Sequence, residues 1–510
     1  MLILQIVKPK TFKMKLNLLI LWMVLLASPL LSTSQIIDFD PNKPSITSHE
    51  VNINGKKINY AAEVGMQEVY NDKDEASAYL LYTYYSLDNK KGDENRPLVI
   101  SFNGGPGSAS VWMHLAYTGP RVLKIDDEGF PIQPYGTKEN PHSILDIADI
   151  VYMNPVNTGY SRPIKDEEGN FNKKEFFGVN EDITYLAKWI NDFVSRKDKW
   201  KNPKYLIGES YGTTRVSGLA NQLQNSHWMY INGVILVSPT ELGIERTGPV
   251  EVANRLPYFA AAAWYHNKLD AKFQNKPIQD YLDEVEQFTI EKLTPALVKG
   301  GFLDASLRKD LAEQMQLYSS IPAKVFLQHN LELPYNYFWK ELLRDEGFTV
   351  GRLDSRYKGL DEKEAGGNPD YNAELTSWLH SFTPAVNHYF KHDLKFETRN
   401  AYNMFGNVYP WDRTKNNRTG KQLRQAMAQN PSMEVMIQAG YFDGATTYFN
   451  AKYTMWHIDE SGKLKDRLHF KTYESGHMMY LRKEDLKSAN EDVRDFILNT
   501  IPKEGKAIKY

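Results

Sequence analysis

The sequence predicts an α/β protein: a doubly wound, mostly parallel central sheet that carries a mainly helical cap insertion. Three observations predict it. Apolar runs of strand length, Leu98-Val99-Ile100, Ile150-Val151-Tyr152-Met153 and Val234-Ile235-Leu236-Val237, alternate with helical patterns such as residues 180–194. Continuous apolar runs are what strands covered on both faces require, and strand–helix alternation is the signature of a parallel sheet. Residues 241–400 then change character, with amphipathic helical segments at 249–268, 278–299 and 304–317 and a polar, Gly-containing stretch at 347–372. Beyond them Val435-Met436-Ile437 and Leu468-His469-Phe470 restore strand character. The reading divides the chain into residues 1–34 (signal peptide), 35–240 (first part of the core), 241–400 (helical cap) and 401–510 (second part of the core).

Taken in order, Lys8, Lys10, Lys13 and Lys15 precede an apolar run from Leu16 to Leu31, broken before Pro29 only by Asn17 and Ser28. That is the pattern of an export signal, with cleavage expected near Ser34 and Met14 as an alternative initiator. The run is short for a membrane span, so no stable membrane insertion is expected after cleavage, and an uncleaved anchor is the alternative. A polar linker at 36–45 leads into alternating residues such as Val51-Asn52-Ile53-Asn54, where Asn54-Gly55 predicts a hairpin turn. The expected location is exported, either periplasmic or extracellular.

Composition narrows the function. With 61 basic and 63 acidic residues the net charge is −2, and the basic residues are scattered, so no nucleic-acid partner is expected. Cysteine is absent, which removes disulfides, thiolate metal sites and a cysteine nucleophile. His388 and His392 stand four apart, but the glutamate of His-Glu-x-x-His is missing, and Pro384 and Asp393 predict an ordinary short helix. No metal and no cofactor are expected. Oligomeric state is not readable.

Chemistry concentrates at Gly208-Glu209-Ser210-Tyr211-Gly212, which follows the apolar Tyr205-Leu206-Ile207. Gly-x-Ser-x-Gly is the nucleophile elbow of α/β-hydrolases, a strained strand-to-helix turn that lifts the serine hydroxyl toward substrate. A pattern this short arises by chance in roughly one chain in five or six of this length, so the rest of the chain has to carry the case. A serine hydroxyl needs a base, and the base a carboxylate, in the chain order Ser, Asp or Glu, His. Asp443, past the strand at 435–439, and His477, past the strand at 468–473, satisfy that order. Asp412 and Asp459 are nearby acids that compete with Asp443. One oxyanion donor is expected from the Tyr211 amide, the other from the loop Asn103-Gly104-Gly105-Pro106-Gly107. That loop is no phosphate cradle, because neither Gly-Lys-Ser/Thr nor Gly-x-Gly-x-x-Gly is present. Glu209 is a second clue: a carboxylate buried beside a nucleophile is costly, so the substrate should need it.

Together, Asn103 to Ser108, Gly208 to Gly212, the Gly-x-x-Asp ending at Asp443 and Gly476-His477-Met478 resemble the serine carboxypeptidase family. Asn140-Pro141-His142-Ser143 and Pro155-Val156-Asn157-Thr158-Gly159-Tyr160-Ser161 resemble two further segments of it. The resemblance spans about residues 95–240 and 430–480; the chain reads as a bacterial member that departs from the family in lacking cysteine, so the family's disulfides cannot form. The resemblance implies a triad of Ser210, Asp443 and His477, an oxyanion hole of the Gly105 and Tyr211 amides, and a site for the substrate's C-terminal carboxylate made by Asn103, the Gly104 amide and Glu209. The implied partner is a peptide with a free C-terminus. Glu209 would then share a proton with that carboxylate, favouring acidic pH. Tyr117 stands where many members have a second glutamate, and Ser101 where the usual residue is tryptophan. An esterase or acyltransferase using the same acyl-enzyme, and a catalytically silent binding protein, are the alternatives.

Overall fold

The computed structural model describes residue 40 and residues 43–87, 95–503, 505–507 and 510. The segment expected as an export signal, residues 1–34, lies outside the described residues. Strands β1 (Ser45–Ile53) and β2 (Lys56–Tyr70) form an antiparallel hairpin. Its turn residues Asn54 and Gly55 both have positive φ, 49° and 77°, as a tight two-residue hairpin turn requires. β3 (Ala76–Leu87) adds antiparallel to β2. There follow β4 (Leu98–Phe102), β5 (Asp149–Met153), β6 (Lys204–Glu209), β7 (Gly233–Val237), β8 (Glu434–Gly440) and β9 (Leu468–Tyr473).

These strands lie side by side in the order β1-β2-β3-β5-β4-β6-β7-β8-β9, with the short strand Arg162–Pro163 on β3. β3 meets β5 antiparallel, and every pairing from β5 onward is parallel. Each residue of β4, β5, β6 and β7 is buried, which is why each carries an apolar run of three or four residues.

The main helices, in chain order, are α1 (Val179–Arg196), α2 (Tyr211–Ser226), α3 (Leu256–Tyr265), α4 (Ile278–Phe288), α5 (Ala305–Ser319), α6 (Ala373–His388), α7 (Thr419–Gln429) and α8 (Lys483–Thr500). α1 shows why they form. Ile183, Leu186, Ala187, Ile190 and Val194 recur at helical spacing and are buried, while Glu181 and Asp182 sit in the first turn, where the helix dipole favours anions. One face of the sheet is covered by a core containing residues of α1, α2 and α7, the other by a core containing residues of α6 and α8. No helix among the described residues is long and apolar enough to cross a membrane.

Between β7 and β8 the chain makes its own apolar cluster from residues of α3, α4 and α5, joined by Ala439, Tyr441, Phe442, Tyr448 and Phe449. Two of the helices expected here are broken. The 249–268 segment divides into Pro249–Ala253 and α3. The 278–299 segment passes through a wide turn, Thr289–Leu293, just before Pro295, which lacks the N–H needed to continue the regular ladder. Around Pro384 the reverse holds: α6 is a 16-residue helix that runs through the proline, not a short one. Its buried face of Trp378, Phe382, Ala385 and Val386 packs into the sheet-side core and offsets the proline's cost of about 3 kcal/mol.

Candidate active site

Ser210 sits where β6 ends and α2 begins, with φ 57° and ψ −127°. A non-glycine residue held there stores about 1–3 kcal/mol of strain, which the surroundings must enforce. They do. The Ser210 N–H donates to the Val237 carbonyl of β7 at 3.0 Å, and the Ser210 carbonyl accepts from Thr213 N–H at 2.8 Å. A Cβ on Gly208 would lie 2.1 Å from the Gly212 carbonyl oxygen, so only glycine lets strand and helix approach this closely.

The loop after β4 presses on the same turn. A Cβ on Gly104 would fall 2.5 Å from Tyr211 N and 2.6 Å from Gly212 N, so the Gly104–Gly105 backbone packs directly against the first turn of α2. The Tyr211 amide opens that helix and has no carbonyl four residues back within it to bond. Arg215, fully buried on α2, ties the loop down: Nε donates to Asp182 Oδ2 at 2.8 Å and Nη1 to the Asn103 carbonyl at 2.5 Å. Sequence reasoning missed Arg215, because its partners come from two distant elements.

Asp443 and His477 meet. His477 Nδ1 donates to Asp443 Oδ2 at 2.7 Å, which leaves Nε2 as the acceptor. Asp443 Oδ1 accepts from the amides of Ala445 (2.8 Å) and Thr446 (3.1 Å), and the Thr446 hydroxyl donates to Oδ2 at 2.7 Å. Both residues lie just past the ends of the adjacent parallel strands β8 and β9. The competing acids are engaged elsewhere: Asp459 with Arg424 and Ser461, Asp412 with Thr414. Burial pulls the His477 pKa down, but the charge and hydrogen bond of Asp443, with the charge of Glu209, outweigh it, so it is raised above the usual histidine value.

Ser210, His477, Glu209, Gly104 and Gly105 line one cavity of about 210 Å³. Its walls include Trp112, Trp378, Leu375, Phe405 and Met478. A larger cavity, about 820 Å³, lies between α4 and α5, is lined by none of these site residues, and carries a Lys276–Glu284 ion pair.

Glu209 is 4% exposed. Asn103 Nδ2 donates to its Oε1 at 2.8 Å, and Asn103 is itself oriented by Met113 N–H, which donates to its Oδ1 at 2.9 Å. The Tyr480 hydroxyl donates to Glu209 Oε2. Burial raises the Glu209 pKa to about 7, against the opposing pull of His477 and of these two donors. Tyr480 was not singled out from the sequence; its position three residues beyond His477 was the only signal. Tyr117 packs flat on Tyr480, ring centroids 4.7 Å apart, and donates to Gln438. The partner of Glu209 is thus a phenol and an amide, with Tyr117 behind the phenol.

His388 and His392 lie outside this site, with rings 4.5 Å apart, and among the described residues no group of three potential His, Cys, Asp or Glu ligands is placed to hold a metal. Asn140 and Ser143 donate to the carbonyls of Tyr117, Gly119 and Thr118, and Ser161 donates to Asn154, so those two motifs brace backbone turns.

Comparison with known proteins shows the family. The family model described as serine carboxypeptidase matches residues 62–466. Serine carboxypeptidase-like 19 of Arabidopsis thaliana is 27% identical over 177 residues, 34% of this chain and 37% of the relative. A probable serine carboxypeptidase, CPVL, of Dictyostelium discoideum is 26% identical over 202 residues, 40% of this chain and 37% of the relative. The chain thus spans less than half the length of these curated relatives. Among solved structures, the prohormone-processing carboxypeptidase Kex1(delta)p of Saccharomyces cerevisiae superposes with a TM-score of 0.52 at 14% identity, covering 88% of this chain and 93% of that one. That likeness shows the fold alone.

Proposed function

The chain belongs to the serine carboxypeptidase family, and from that premise we propose that it removes residues from the C-termini of peptides through an acyl-enzyme. His477 Nε2 takes the proton of Ser210 as its oxygen attacks the carbonyl of the last peptide bond. The amides of Gly105 and Tyr211 hold the oxyanion. His477 then gives the proton to the departing nitrogen, the C–N bond breaks, and the last residue leaves as a free amino acid. Water, deprotonated by the same imidazole, cleaves the ester. Asp443 keeps the Nδ1 proton in place throughout.

One observation carries this reading: Glu209 sits in the same cavity as Ser210, buried, with its pKa raised to about 7. A protonated Glu209 donates to a carboxylate, whereas an ionised one repels it. With Asn103 and the Gly104 amide, it makes a place for the free C-terminus of a peptide. The helical segment between β7 and β8 acts as a cap in this reading, and the apolar run at 16–31 directs export to the periplasm or beyond.

The test is a matched pair of peptides, one with a free and one with an amidated C-terminus. The free acid is expected to have a kcat/KM at least about 100-fold higher, because the amide leaves buried polar groups unpaired. Equal cleavage of both contradicts the exopeptidase reading.

A further inference from the structure

The cavity at Ser210 contains one cation that the reaction does not use. Arg352 lines it beside Glu209, Ser210 and His477. Its guanidinium is not tied up in an ion pair among the described residues, and the residue is exposed. Its charge reaches the centre, opposing protonation of His477.

The backbone of Arg352 is not free to drift. Its carbonyl accepts from Gly444 N–H at 2.9 Å, one residue past Asp443. The next residue, Leu353, donates its N–H to the buried Glu374 Oε1 at 2.8 Å and accepts His477 N–H at 2.7 Å. Ser355 N–H donates to the Phe442 carbonyl at 3.0 Å. Asp354 and Arg356 form a buried ion pair at 2.6 Å, and Arg356 Nη2 donates to Ser475 Oγ at 3.0 Å. Residues 352–356 are therefore a strap from the inserted segment, bonded to both loops that carry Asp443 and His477. It holds the backbone of Arg352 at the wall of the cavity.

We propose that Arg352 makes the enzyme prefer peptides whose released C-terminal residue is acidic, Glu or Asp. The inference rests on the exopeptidase reading above and adds the identity of the leaving residue. With a peptide bound, Glu209 and Asn103 hold the main-chain carboxylate. The remaining walls, such as Trp112, Trp378 and Leu375, are apolar, and the one cationic side chain in that lining is left facing the cavity. A side-chain carboxylate on the last residue supplies its partner, and guanidinium–carboxylate geometry allows two parallel hydrogen bonds.

The experiment measures kcat/KM for blocked dipeptides of one series, Phe-Glu, Phe-Gln, Phe-Leu and Phe-Lys, with wild type, Arg352→Gln and Arg352→Glu. Wild type is expected to favour Glu over the near-isosteric Gln by about tenfold, the scale of one partly exposed charge pair. Arg352→Gln brings the Glu-to-Gln ratio of kcat/KM to about one, a ratio in which any general effect of the lost charge on His477 cancels, and Arg352→Glu moves the preference to Phe-Lys. Equal use of Glu and Gln by wild type overturns the proposal. So does an equal loss on all four peptides in Arg352→Gln, since Arg352 would then hold the main-chain carboxylate. In both of those results Phe-Leu is still cleaved by wild type, so the exopeptidase reading stands; only a wild type inert on all four strikes that reading itself.

Discussion

The two halves of the candidate site are built in different ways. Ser210, Asp443 and His477 sit past the ends of β6, β8 and β9, parallel strands of one sheet with β7 between β6 and β8, and are held largely at those strand ends: a strained elbow, two amides on a carboxylate, an imidazole bonded to that carboxylate. The strap at 352–356 comes from the inserted segment and is placed by contacts that span long stretches of chain, such as Arg356 to Ser475, 119 residues apart. Chemistry is set by the sheet, whereas the shape of the pocket is set by what the insertion lays across it. Changes on the sheet side should therefore abolish turnover with little effect on folding. Changes in the strap should act through stability and through choice of substrate.

The largest effect expected is on the sheet side. Ser210→Ala should lower kcat by about 10⁴-fold or more while thermal unfolding stays near wild type, since the elbow's hydrogen bonds are made by backbone. Residual activity close to wild type would place the nucleophile elsewhere. On the strap, Asp354→Ala leaves Arg356 buried without its partner and should cost about 3–5 kcal/mol in chemical denaturation. The matched control is Glu313→Ala, which breaks the exposed Lys309–Glu313 pair on α5 and should change stability by less than about 0.5 kcal/mol. Equal costs at the two sites would remove the distinction between strap and outer insertion.

The same contrast decides what could be read from the sequence. Parallel strands buried on both faces leave unbroken apolar runs, so β4, β5 and β7 were legible as strands, and Asn54-Gly55 as a hairpin turn. Asp443 and His477, picked from chain order after Ser210, are brought together because they follow the adjacent strands β8 and β9. The insertion was legible only as helical. Its breaks at residues 254–255 and 289–293, and the uninterrupted passage of α6 through Pro384, depend on tertiary packing that overrides local preference. Tyr480 meets Glu209 across 271 residues, and Arg352 reaches the cavity only because Leu353 and Ser355 are bonded to the loops that carry Asp443 and His477. Proximity to His477 is the one local sign of Tyr480, and Arg352 has none. The resemblance drew attention to Tyr117 as a missing acid; in the structure that tyrosine stacks on the phenol that bonds Glu209.

In the proposed reading Glu209 joins the two halves, since it adjoins Ser210 yet acts only in the presence of a particular substrate. Its raised pKa gives that role a sign. In this proposal the form protonated below about 7 would donate to a terminal carboxylate, and the ionised form above it would repel one. His477 must be neutral to act as base, and its titration affects all substrates alike. The ratio of kcat/KM for a free-acid peptide to that for its amide therefore cancels His477 and isolates Glu209. Measured from pH 5 to 9, this ratio should fall in wild type as pH rises through about 7 and should be flat in Glu209→Gln. A decline that persists unchanged in the Gln variant would contradict the assignment of Glu209 to the substrate's C-terminus.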